Sequence, residues 1–357
     1  MGVLPPPLAP PLAGGEVGSA TFLIFFFFAM PYHWPAEWEC HDATWIAWPH
    51  NRQHWPGKFG PIAGVYVEIV RALASSERVE ICVNDAAMEA DARARLAGGG
   101  VPLDRVSFHH FPTNASWSRD HGPIFVHGSK GLTVLDFGYN ANGAKWGPCD
   151  LDDAVPRHVT KHLGLPLVQP PLILEGGSIE GNGLGTLLTT ESCLLNPNRN
   201  PKLNRGQIEA ALREYLGATN ILWLKEGISG DDTDGHIDDL ARFVNPTTVV
   251  CPLTDDSVDE DYAVLRRNYE DLQRMNDQDG TPLTVVPLPV PSPVVYDDTR
   301  LPASYANFYI ANTVVLLPTF GCLQDAAARA TLQGFFPDRR VVGIDCVDLV
   351  WGFGTIH

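Results

Sequence analysis

The chain has 357 residues, 45% of them hydrophobic, so it can bury a sizeable core and is long enough for one large domain or two small ones. With 42 acidic and 25 basic residues it carries a formal charge of −17, which argues against nucleic acid and anionic membranes as partners and is compatible with a cationic substrate. Its seven cysteines show no CxxC spacing, which indicates reduced thiols in a cytoplasmic protein and favours neither a disulfide framework nor a zinc ribbon.

The first thirty residues differ in composition from the rest of the chain. A Pro/Gly-rich tract covers residues 5–15, and an apolar run rich in phenylalanine follows over 21–29. That run is too short to span a bilayer, and a secretory signal would need a basic start, whereas the first Lys or Arg is Arg52. Residues 1–30 are therefore predicted to be a disordered, dispensable leader, with an atypical signal peptide as the alternative. Residues 31–357 are predicted to form a single domain.

Beyond the leader the hydrophobic pattern predicts an α/β protein without transmembrane segments. Apolar residues at helical spacing between Ile62 and Leu73 precede a strand at 79–83. The later helices recur at intervals of roughly fifty to sixty residues, which indicates a repeated strand and helix unit. These helices are predicted over 153–163, 207–216, 259–275 and 324–335. Short apolar strands are predicted over 124–126, 132–137, 172–174, 186–189, 221–224, 249–252, 308–311 and 314–317.

Residues 231–239 place five carboxylates around a single histidine, His236. Holding so many like charges together is costly without a cationic partner. If this stretch enters a strand, the two-residue period puts His236 and Asp238 on one face. An imidazole beside a carboxylate suits proton transfer and cation binding. A metal site and an ordinary solvated Asp-rich loop are the alternatives.

Other polar clusters lie at the edges of predicted strands. Trp117 and Asp120 precede a strand, where they would supply an aromatic wall and a carboxylate for a cation; a surface Asx turn is the alternative. Glu175 is followed by two glycines, which permit the close approach of a ligand or form a tight turn. Asn307 lies at the head of another strand, where structural capping is equally plausible. Cys346 is predicted to be a buried strand cysteine rather than a nucleophile.

Six segments follow one another in a characteristic order: Pro35-Ala36-Glu37-Trp38-Glu39, Thr44-Trp45-Ile46-Ala47-Trp48-Pro49-His50, Trp117-Ser118-Arg119-Asp120-His121-Gly122-Pro123, Leu174-Glu175-Gly176-Gly177-Ser178, Gly235-His236-Ile237-Asp238 and Ser304-Tyr305-Ala306-Asn307-Phe308-Tyr309. In this order they resemble the agmatine deiminase / bacterial peptidylarginine deiminase family, over essentially Met30 to His357. The resemblance implies the pentein fold, an α/β propeller of five ββαβ-type units about a pseudo-fivefold axis. It also implies guanidine hydrolysis with neither a metal nor another cofactor.

The chemistry of that family explains the residue types in these segments. A guanidinium is planar, permanently charged and weakly electrophilic, so its hydrolysis needs paired carboxylates to hold its N–H edges and a thiolate to attack its central carbon. The resemblance assigns the carboxylates to Asp120 and Asp238. It assigns to His236 the general acid that protonates the departing ammonia and then activates water, and it matches Asn307 to an active-site amide. Three further residues are expected to line the pocket and hold the rest of the substrate: Trp117, Glu175 and Asp232.

The activity implied by the resemblance is conversion of agmatine and water to N-carbamoylputrescine and ammonia through a cysteine thiouronium intermediate, a step of putrescine and polyamine metabolism. Deimination of peptidyl or free arginine to citrulline is the first alternative, because the motifs do not separate the two. A non-catalytic pentein that binds a guanidinium ligand or a partner protein is the second. The expected partner is a small cationic guanidinium compound, with no nucleic acid and no membrane. A homodimer is an open alternative.

One stretch departs from the family pattern. The nucleophilic cysteine of the family follows Gly-Gly-Gly-x-Ile-His, and this chain reads Gly352-Phe353-Gly354-Thr355-Ile356-His357 at that place. None of its seven cysteines matches the position of the nucleophile. The expectation is a domain truncated directly before that cysteine, which binds a guanidinium but lacks turnover. A natural loss of catalysis is the alternative.

Overall fold

The computed structural model describes residues 32–357, so the predicted leader of residues 1–30 lies outside the described residues. The strands are β1 (Tyr32–His33), β2 (Ala43–Ala47), β3 (Arg78–Cys82), β4 (Val106–His109), β5 (Ile124–Gly128), β6 (Gly131–Leu135), β7 (Leu167–Val168), β8 (Glu180–Gly181), β9 (Thr186–Thr190), β10 (Asn220–Leu224), β11 (Arg242–Asn245), β12 (Thr248–Pro252), β13 (Thr284–Leu288), β14 (Val295–Tyr296), β15 (Thr299–Arg300), β16 (Tyr309–Ile310), β17 (Val314–Thr319) and β18 (Arg340–Asp345). The α-helices are α1 (Phe59–Ala74), α2 (Ala86–Gly98), α3 (Ser118–His121), α4 (Ala141–Ala144), α5 (Asp150–Leu163), α6 (Glu191–Leu194), α7 (Arg205–Leu216), α8 (Tyr262–Leu272) and α9 (Gln324–Phe335). Among residues 32–357, every helix falls short of the length and apolarity that a bilayer crossing demands.

The described chain repeats one structural unit. Four times, two antiparallel strands are followed by a helix and by a third strand that pairs in parallel with the second: β5-β6-α5-β7, β8-β9-α7-β10, β11-β12-α8-β13 and β16-β17-α9-β18. A fifth sheet has the order β2-β3-β4 and is parallel throughout. The predicted α/β architecture of repeated units is therefore confirmed.

Helix α1 shows why the predicted helices form. Its residues Ile62, Tyr66, Ile69, Val70 and Leu73 recur at intervals of three and four, so they share one face, and all five are buried. Fully burying an apolar side chain of this size contributes about 1.5–3 kcal/mol relative to leaving it exposed. The face contacts β3, β17 and β18, and it thereby joins the first and last sheets of the described chain.

Most predicted elements agree with the structure. The predicted helix over 324–335 coincides with α9, and the helices predicted near α5, α7 and α8 are displaced by no more than a turn at either end. The predicted strand over 172–174 is wrong, because that segment makes only an isolated bridge between Ile173 and Gly138. Two prolines directly before it, Pro170 and Pro171, lack the N–H groups that a strand ladder needs.

The stretch that carries His236 and Asp238 does not enter a strand, the conformation considered for it from the sequence. Residues Ile237–Asp239 form a 3₁₀ turn, and His236 directly precedes it. The backbone enters this turn through Asp234 and Gly235, whose φ angles of 69° and 99° lie in the left-handed region and are incompatible with an extended strand. The two side chains nevertheless reach the same pocket.

Candidate active site

One pocket collects six of the seven residues that the sequence singled out. They come from segments far apart in the chain, and the turns and loops between sheets carry them. The six are Trp117, Asp120, Asp232, His236, Asp238 and Asn307. The seventh, Glu175, is fully buried and lies behind the pocket rather than in its wall.

Local hydrogen bonds shape the turn that carries His236. Oδ1 of Asp231 accepts a hydrogen bond from the backbone N–H of Thr233 at 2.8 Å, as in an Asx turn. The backbone N–H of His236 then donates to the Thr233 hydroxyl at 3.0 Å. The Thr190 hydroxyl holds the turn from the neighbouring strand β9 by donating to the carbonyl of Gly235 at 2.6 Å. The Asp-rich sequence therefore supplies acceptors for its own backbone as well as charge for the pocket.

Asp120 and His236 face each other at the centre of the pocket. Nδ1 of His236 lies 3.5 Å from Oδ1 of Asp120. Burial raises the pKa of Asp120 to about 6, even though the neighbouring imidazole works in the opposite direction. Burial alone would lower the pKa of His236, but the carboxylate of Asp120, the Cys193 thiol and Asp238 outweigh burial and hold that pKa well above its usual value. A protonated imidazole beside a carboxylate is the state that a general acid requires.

Gly177 packs directly against this pair. A Cβ atom at this position would stand 2.6 Å from Nδ1 of His236, 2.8 Å from Oδ1 of Asp120 and 3.1 Å from Oδ2 of Asp238. Its backbone N–H also donates to Oδ1 of Asp120 at 3.2 Å. The two glycines after Glu175 were expected to permit the close approach of a ligand or to form a tight turn. In the structure the second of them, Gly177, leaves room for the side chains of the pocket.

His357 links Asp238 to a second buried carboxylate. Nδ1 of His357 lies 2.8 Å from Oδ2 of Asp238, and Nε2 lies 2.6 Å from Oε2 of Glu37. Burial would raise the pKa of Asp238, but the hydrogen bond and charge of His357 outweigh it and hold that pKa below its usual value. Asp238 therefore stays ionised although it is buried.

Arg242 continues this chain of opposite charges into the core. It is fully buried, and its guanidinium donates to Oε2 of Glu180 at 2.9 Å and to Oε1 of Glu37 at 3.0 Å. Its Nη1 also donates to the carbonyls of Ala306 and Phe308, so four of the five N–H groups of this guanidinium have acceptors. Buried charges are tolerated when they are paired and hydrogen-bonded, and Arg242 is paired with two carboxylates.

The amide of Asn307 holds the segment that carries His357. Oδ1 of Asn307 accepts hydrogen bonds from the Thr355 hydroxyl at 2.6 Å and from the backbone N–H of His357 at 3.2 Å. Asn307 was expected to act as an active-site amide. The structure places it in the pocket wall and shows its oxygen occupied by the chain itself.

Glu175 is paired with Arg199. Nε of Arg199 lies 2.9 and 3.1 Å from the two carboxylate oxygens of Glu175, and its Nη1 donates to Asp234 at 2.6 Å. The resulting ion pairs connect Glu175 to the Asp-rich turn. Glu175, Cys193 and His236 also bring one potential metal-ligand atom each within 4.8 Å of one another. Because the Arg199 guanidinium already neutralises Glu175, the cluster is less suited to a cation than its atom types suggest.

Aromatic side chains surround the pocket mouth. Trp146 donates from Nε1 to Oδ2 of Asp232 at 2.5 Å, and its ring lies 5.7 Å from that of His54 and 6.1 Å from that of Phe353. Trp117 also lines the pocket. Burial raises the pKa of Asp232 to about 6, against the effect of the Trp146 hydrogen bond. A cation that enters the pocket therefore meets ring faces and a carboxylate together.

The pocket wall is strongly acidic. Five aspartates line it, and no lysine or arginine does so among the described residues. The five are Asp120, Asp152, Asp232, Asp238 and Asp239. Burial, reinforced by Asp238, raises the pKa of Asp239 well above its usual value, so this carboxyl group keeps its proton. The arrangement suits a planar cation held by Asp120 and Asp238 and approached by a protonated imidazole.

The sequence did not reveal several residues that hold the site together. Glu37 and His357 were visible only as members of longer segments, and nothing in the sequence indicates that they pair across 320 positions. Trp146 and Arg199 stand in segments without a recognisable pattern. The sole local feature of the sequence that marked one of these residues was the position of His357 at the end of the glycine-containing stretch.

Comparison with known proteins identifies a consistent set of relatives. The profile of the Porphyromonas-type peptidyl-arginine deiminase family matches residues 33–357. The agmatine deiminase of Ectopseudomonas mendocina is 36% identical over 350 residues, which cover 91% of this chain and 94% of that protein. Among solved structures, an agmatine deiminase of Enterococcus faecalis catalysing its reaction gives a TM-score of 0.86 at 30% identity, covering 92% of this chain and 94% of the other. A C. jejuni agmatine deiminase with substrate bound gives 0.83 at 32% identity, covering 91% and 94%.

Proposed function

The chain belongs to the Porphyromonas-type peptidyl-arginine deiminase family, and from that premise we propose that it hydrolyses agmatine to N-carbamoylputrescine and ammonia. The observation that carries the proposal is the pocket in which Asp120 and Asp238 flank the protonated His236. The fold is the pentein α/β fold predicted from the sequence, consistent with the likeness to the solved agmatine deiminases.

The charge of the pocket favours agmatine over arginine. Arginine and peptides that end in arginine carry a carboxylate, and this group would meet no lysine or arginine side chain among the described residues of the pocket wall. Agmatine carries an ammonium group instead. Asp232 offers that group a carboxylate, and the buried Oδ1 of Asn142 has no hydrogen-bond partner in the structure. Burying an ammonium group beside such acceptors is favourable, whereas burying a carboxylate there is costly.

In the proposed mechanism, Asp120 and Asp238 hold the guanidinium by its N–H edges, and a thiolate attacks the central carbon. The C–N bond breaks as His236 donates its proton, and ammonia leaves. The imidazole then takes a proton from water, which attacks the thiouronium carbon and releases the thiolate and the ureido product. Together these steps consume one water and release one ammonia and one proton, which combine as ammonium, and they need no oxidant or reductant.

We propose that the residue following His357 supplies the thiolate, as the family pattern implies. No described cysteine lines the pocket. Cys193 lies nearest to the imidazole, but it is fully buried, and burial raises the pKa of its thiol, so it is poorly suited to attack. His357 itself lines the pocket and is held at both ring nitrogens and at its backbone N–H, which fixes its backbone at the pocket wall.

Calorimetry with agmatine and arginine tests the substrate class, and an ammonia assay tests the chemistry. The chain of 357 residues is expected to bind agmatine and to bind arginine at least about tenfold more weakly, because the carboxylate of arginine has no partner. Its ammonia release is expected to be negligible. The same chain with a cysteine added after His357, and with the tail of an agmatine deiminase relative, is expected to release ammonia from agmatine.

Each outcome of this experiment has a definite meaning. Agmatine binding without ammonia release by the extended chain would favour the non-catalytic guanidinium-binding alternative. Tighter binding of arginine than of agmatine would favour the arginine-directed alternative. Substantial ammonia release by the 357-residue chain would assign the nucleophile to one of its seven cysteines.

The seven cysteines are all free, which supports the expectation of a cytoplasmic protein with reduced thiols. A small cationic guanidinium compound is the proposed partner. Nucleic acid fits poorly with a charge of −17. The homodimer stays a prediction, to be checked by light scattering.

A further inference from the structure

The His357 ring lies between two carboxylates, and hydrogen bonding fixes its protonation. Nδ1 contacts Asp238 at 2.8 Å and Nε2 contacts Glu37 at 2.6 Å. Ionised carboxylates only accept hydrogen bonds, so hydrogen bonds to both carboxylates require a proton on each ring nitrogen and hence a positively charged ring. The ring is fully buried, so water does not share this charge.

Only one oxygen of Asp238 is used in this contact. Oδ2 accepts from His357, whereas Oδ1 accepts no hydrogen bond from any residue in the range 32–357. Asp238 lines the pocket. A carboxylate held at one oxygen and open at the other is oriented for a ligand that brings N–H groups.

Several elements contribute charge around His357 and Asp238. Acidic and basic side chains alternate from the core to the pocket, in the order Glu180, Arg242, Glu37, His357, Asp238. Nη1 of Arg119 lies 3.7 Å from Oε2 of Glu37, to one side of this series of charges. On the pocket side, Asp238 faces Asp120, His236 and Asp239, of which the last keeps its proton.

We propose that His357 is a positioning residue. Its imidazolium binds Oδ2 of Asp238, which keeps the Asp238 carboxyl group ionised and leaves Oδ1 turned toward the guanidinium of the substrate. The inference deepens the proposed function and rests on it, because it requires the ligand of Asp238 to be a cation. His357 acts through Asp238 and need not touch the substrate. Glu37 has a supporting role, since it keeps the proton on Nε2 of the ring.

The test compares three variants of the 357-residue chain. H357Q keeps the size and a donor but removes the positive charge, and E37Q removes the carboxylate behind the ring. H109Q is the matched control, because His109 lies 2.6 Å from Glu80 in another nearly buried pair but does not line the pocket. Agmatine affinity is measured by calorimetry between pH 5 and 8, and thermal unfolding establishes that each variant is folded.

We expect H357Q to bind agmatine at least about tenfold more weakly than the wild type at pH 7, and E37Q to shift affinity in the same direction by less. Affinity of the wild type should fall as the pH drops through about 6, where Asp120 takes up a proton. In H357Q this fall should begin at a higher pH, because Asp238 loses the partner that keeps it ionised. H109Q should match the wild type at every pH.

A folded H357Q protein with wild-type affinity and an unchanged pH profile would overturn the inference. If H357Q does not fold, the comparison of E37Q with H109Q decides the matter, and equal affinities would overturn it. Nitrogen NMR of the His357 ring gives a readout that needs no ligand, and a proton missing from either ring nitrogen at pH 7 contradicts the inference. If the wild type does not bind agmatine although its His357 ring is doubly protonated, it is the proposed function that fails, and the role of His357 toward a substrate fails with it.

Discussion

Gly177 and His236 are in such close contact that any side chain at position 177 would displace its neighbours: a Cβ atom would stand 2.6 Å from Nδ1 of the imidazole. Real contacts of a Cβ atom lie beyond about 3 Å, so the imidazole or the turn at Gly177 would have to move. The same Cβ atom would press on Asp120 and Asp238. The positions of His236, the general acid, and of Asp120 and Asp238, the proposed guanidinium ligands, therefore all depend on the absence of a side chain at residue 177.

The first prediction concerns this constraint. We expect Gly177→Ala to weaken agmatine binding by at least about tenfold, because displacement of His236 and the two carboxylates misaligns charge-assisted hydrogen bonds. Calorimetry measures the affinity. The control is Gly334→Ala in α9, where a Cβ atom meets nothing within 4 Å and where we expect a stability gain of about 0.5–1 kcal/mol and unchanged affinity. Unchanged binding by Gly177→Ala would show that the site tolerates the methyl group.

Asp238→Asn is expected to leave the fold intact and to remove most of the affinity for agmatine, because an amide supplies neither the charge nor two acceptor oxygens. Loss of one charge-assisted contact should cost about 2–3 kcal/mol, or roughly 30- to 150-fold in affinity. In a chain extended past His357, ammonia release should fall at least as far. Asp91→Asn is the control, because Asp91 is an exposed residue paired with Arg95 on α2. Wild-type affinity in Asp238→Asn would remove this residue from the site.

The pH dependence of binding has a predictable sign. The pKa of Asp120 and that of Asp232 are both raised to about 6 by burial, so both carboxyl groups are protonated below that pH and ionised above it. A cationic ligand needs the ionised form. Agmatine affinity should therefore be nearly constant above pH 7 and fall as the pH drops through 6, while His236 stays protonated because its pKa is well above its usual value. Isothermal titration from pH 5 to 8 measures the profile; constant affinity over that range would argue against both assignments.

Arg199 is expected to be critical for stability. Arg199→Met leaves Glu175 buried without its guanidinium partner and releases Asp234, which should lower the free energy of unfolding by about 3–5 kcal/mol. Arg205→Met is the matched control, since Arg205 also pairs with two carboxylates but lies at the surface, and it should cost less than about 1 kcal/mol. Denaturant unfolding of both variants gives the difference. A similar cost in both would indicate that burial does not strengthen the Arg199 pairs.

Metal removal should have no effect. A thiolate and an imidazole suffice for the proposed reaction, and the Arg199 guanidinium already neutralises the carboxylate of the Glu175, Cys193 and His236 cluster. Exhaustive chelation is expected to leave agmatine affinity unchanged, and elemental analysis of the pure protein should find no stoichiometric metal. Binding or turnover restored only by a divalent ion would revive the metal-site interpretation of the acidic turn.

The parts of the fold that could be predicted from the sequence are those with local causes. Helix α7 begins at a capping box formed by Asn204 and Gln207, and Gly217 follows its end with a φ of 69°, so its limits can be read from neighbouring residues. The acidic turn could be recognised for the same reason, since its charges lie within nine positions of one another. The conformation of this turn could not be predicted, because a strand and a turn would both bring His236 and Asp238 to the same side of the backbone.

The parts that could not be predicted depend on contacts between distant residues. The partner of His357 is Glu37, and the two lie 320 positions apart. The partner of Glu175 is Arg199, which stands in a loop without a recognisable motif. Family resemblance supplied candidate ligands for the guanidinium, but it did not supply the buried charges that hold those ligands in place. These follow only from the geometry of packed sheets.

The contact between Glu37 and His357 also has a consequence for synthesis of the protein on the ribosome. Glu37 leaves the exit tunnel before His357, so the carboxylates of Glu37 and Asp238 lack their shared imidazole partner until the intervening residues have been made. Closing so large a loop has an entropic cost that grows slowly with length, but it delays the contact until both segments are free. The acidic pocket should therefore be completed only after residue 357 has been made. Nascent chains released before that step would lack the imidazole that joins Glu37 to Asp238 and so would have no finished place for a cation.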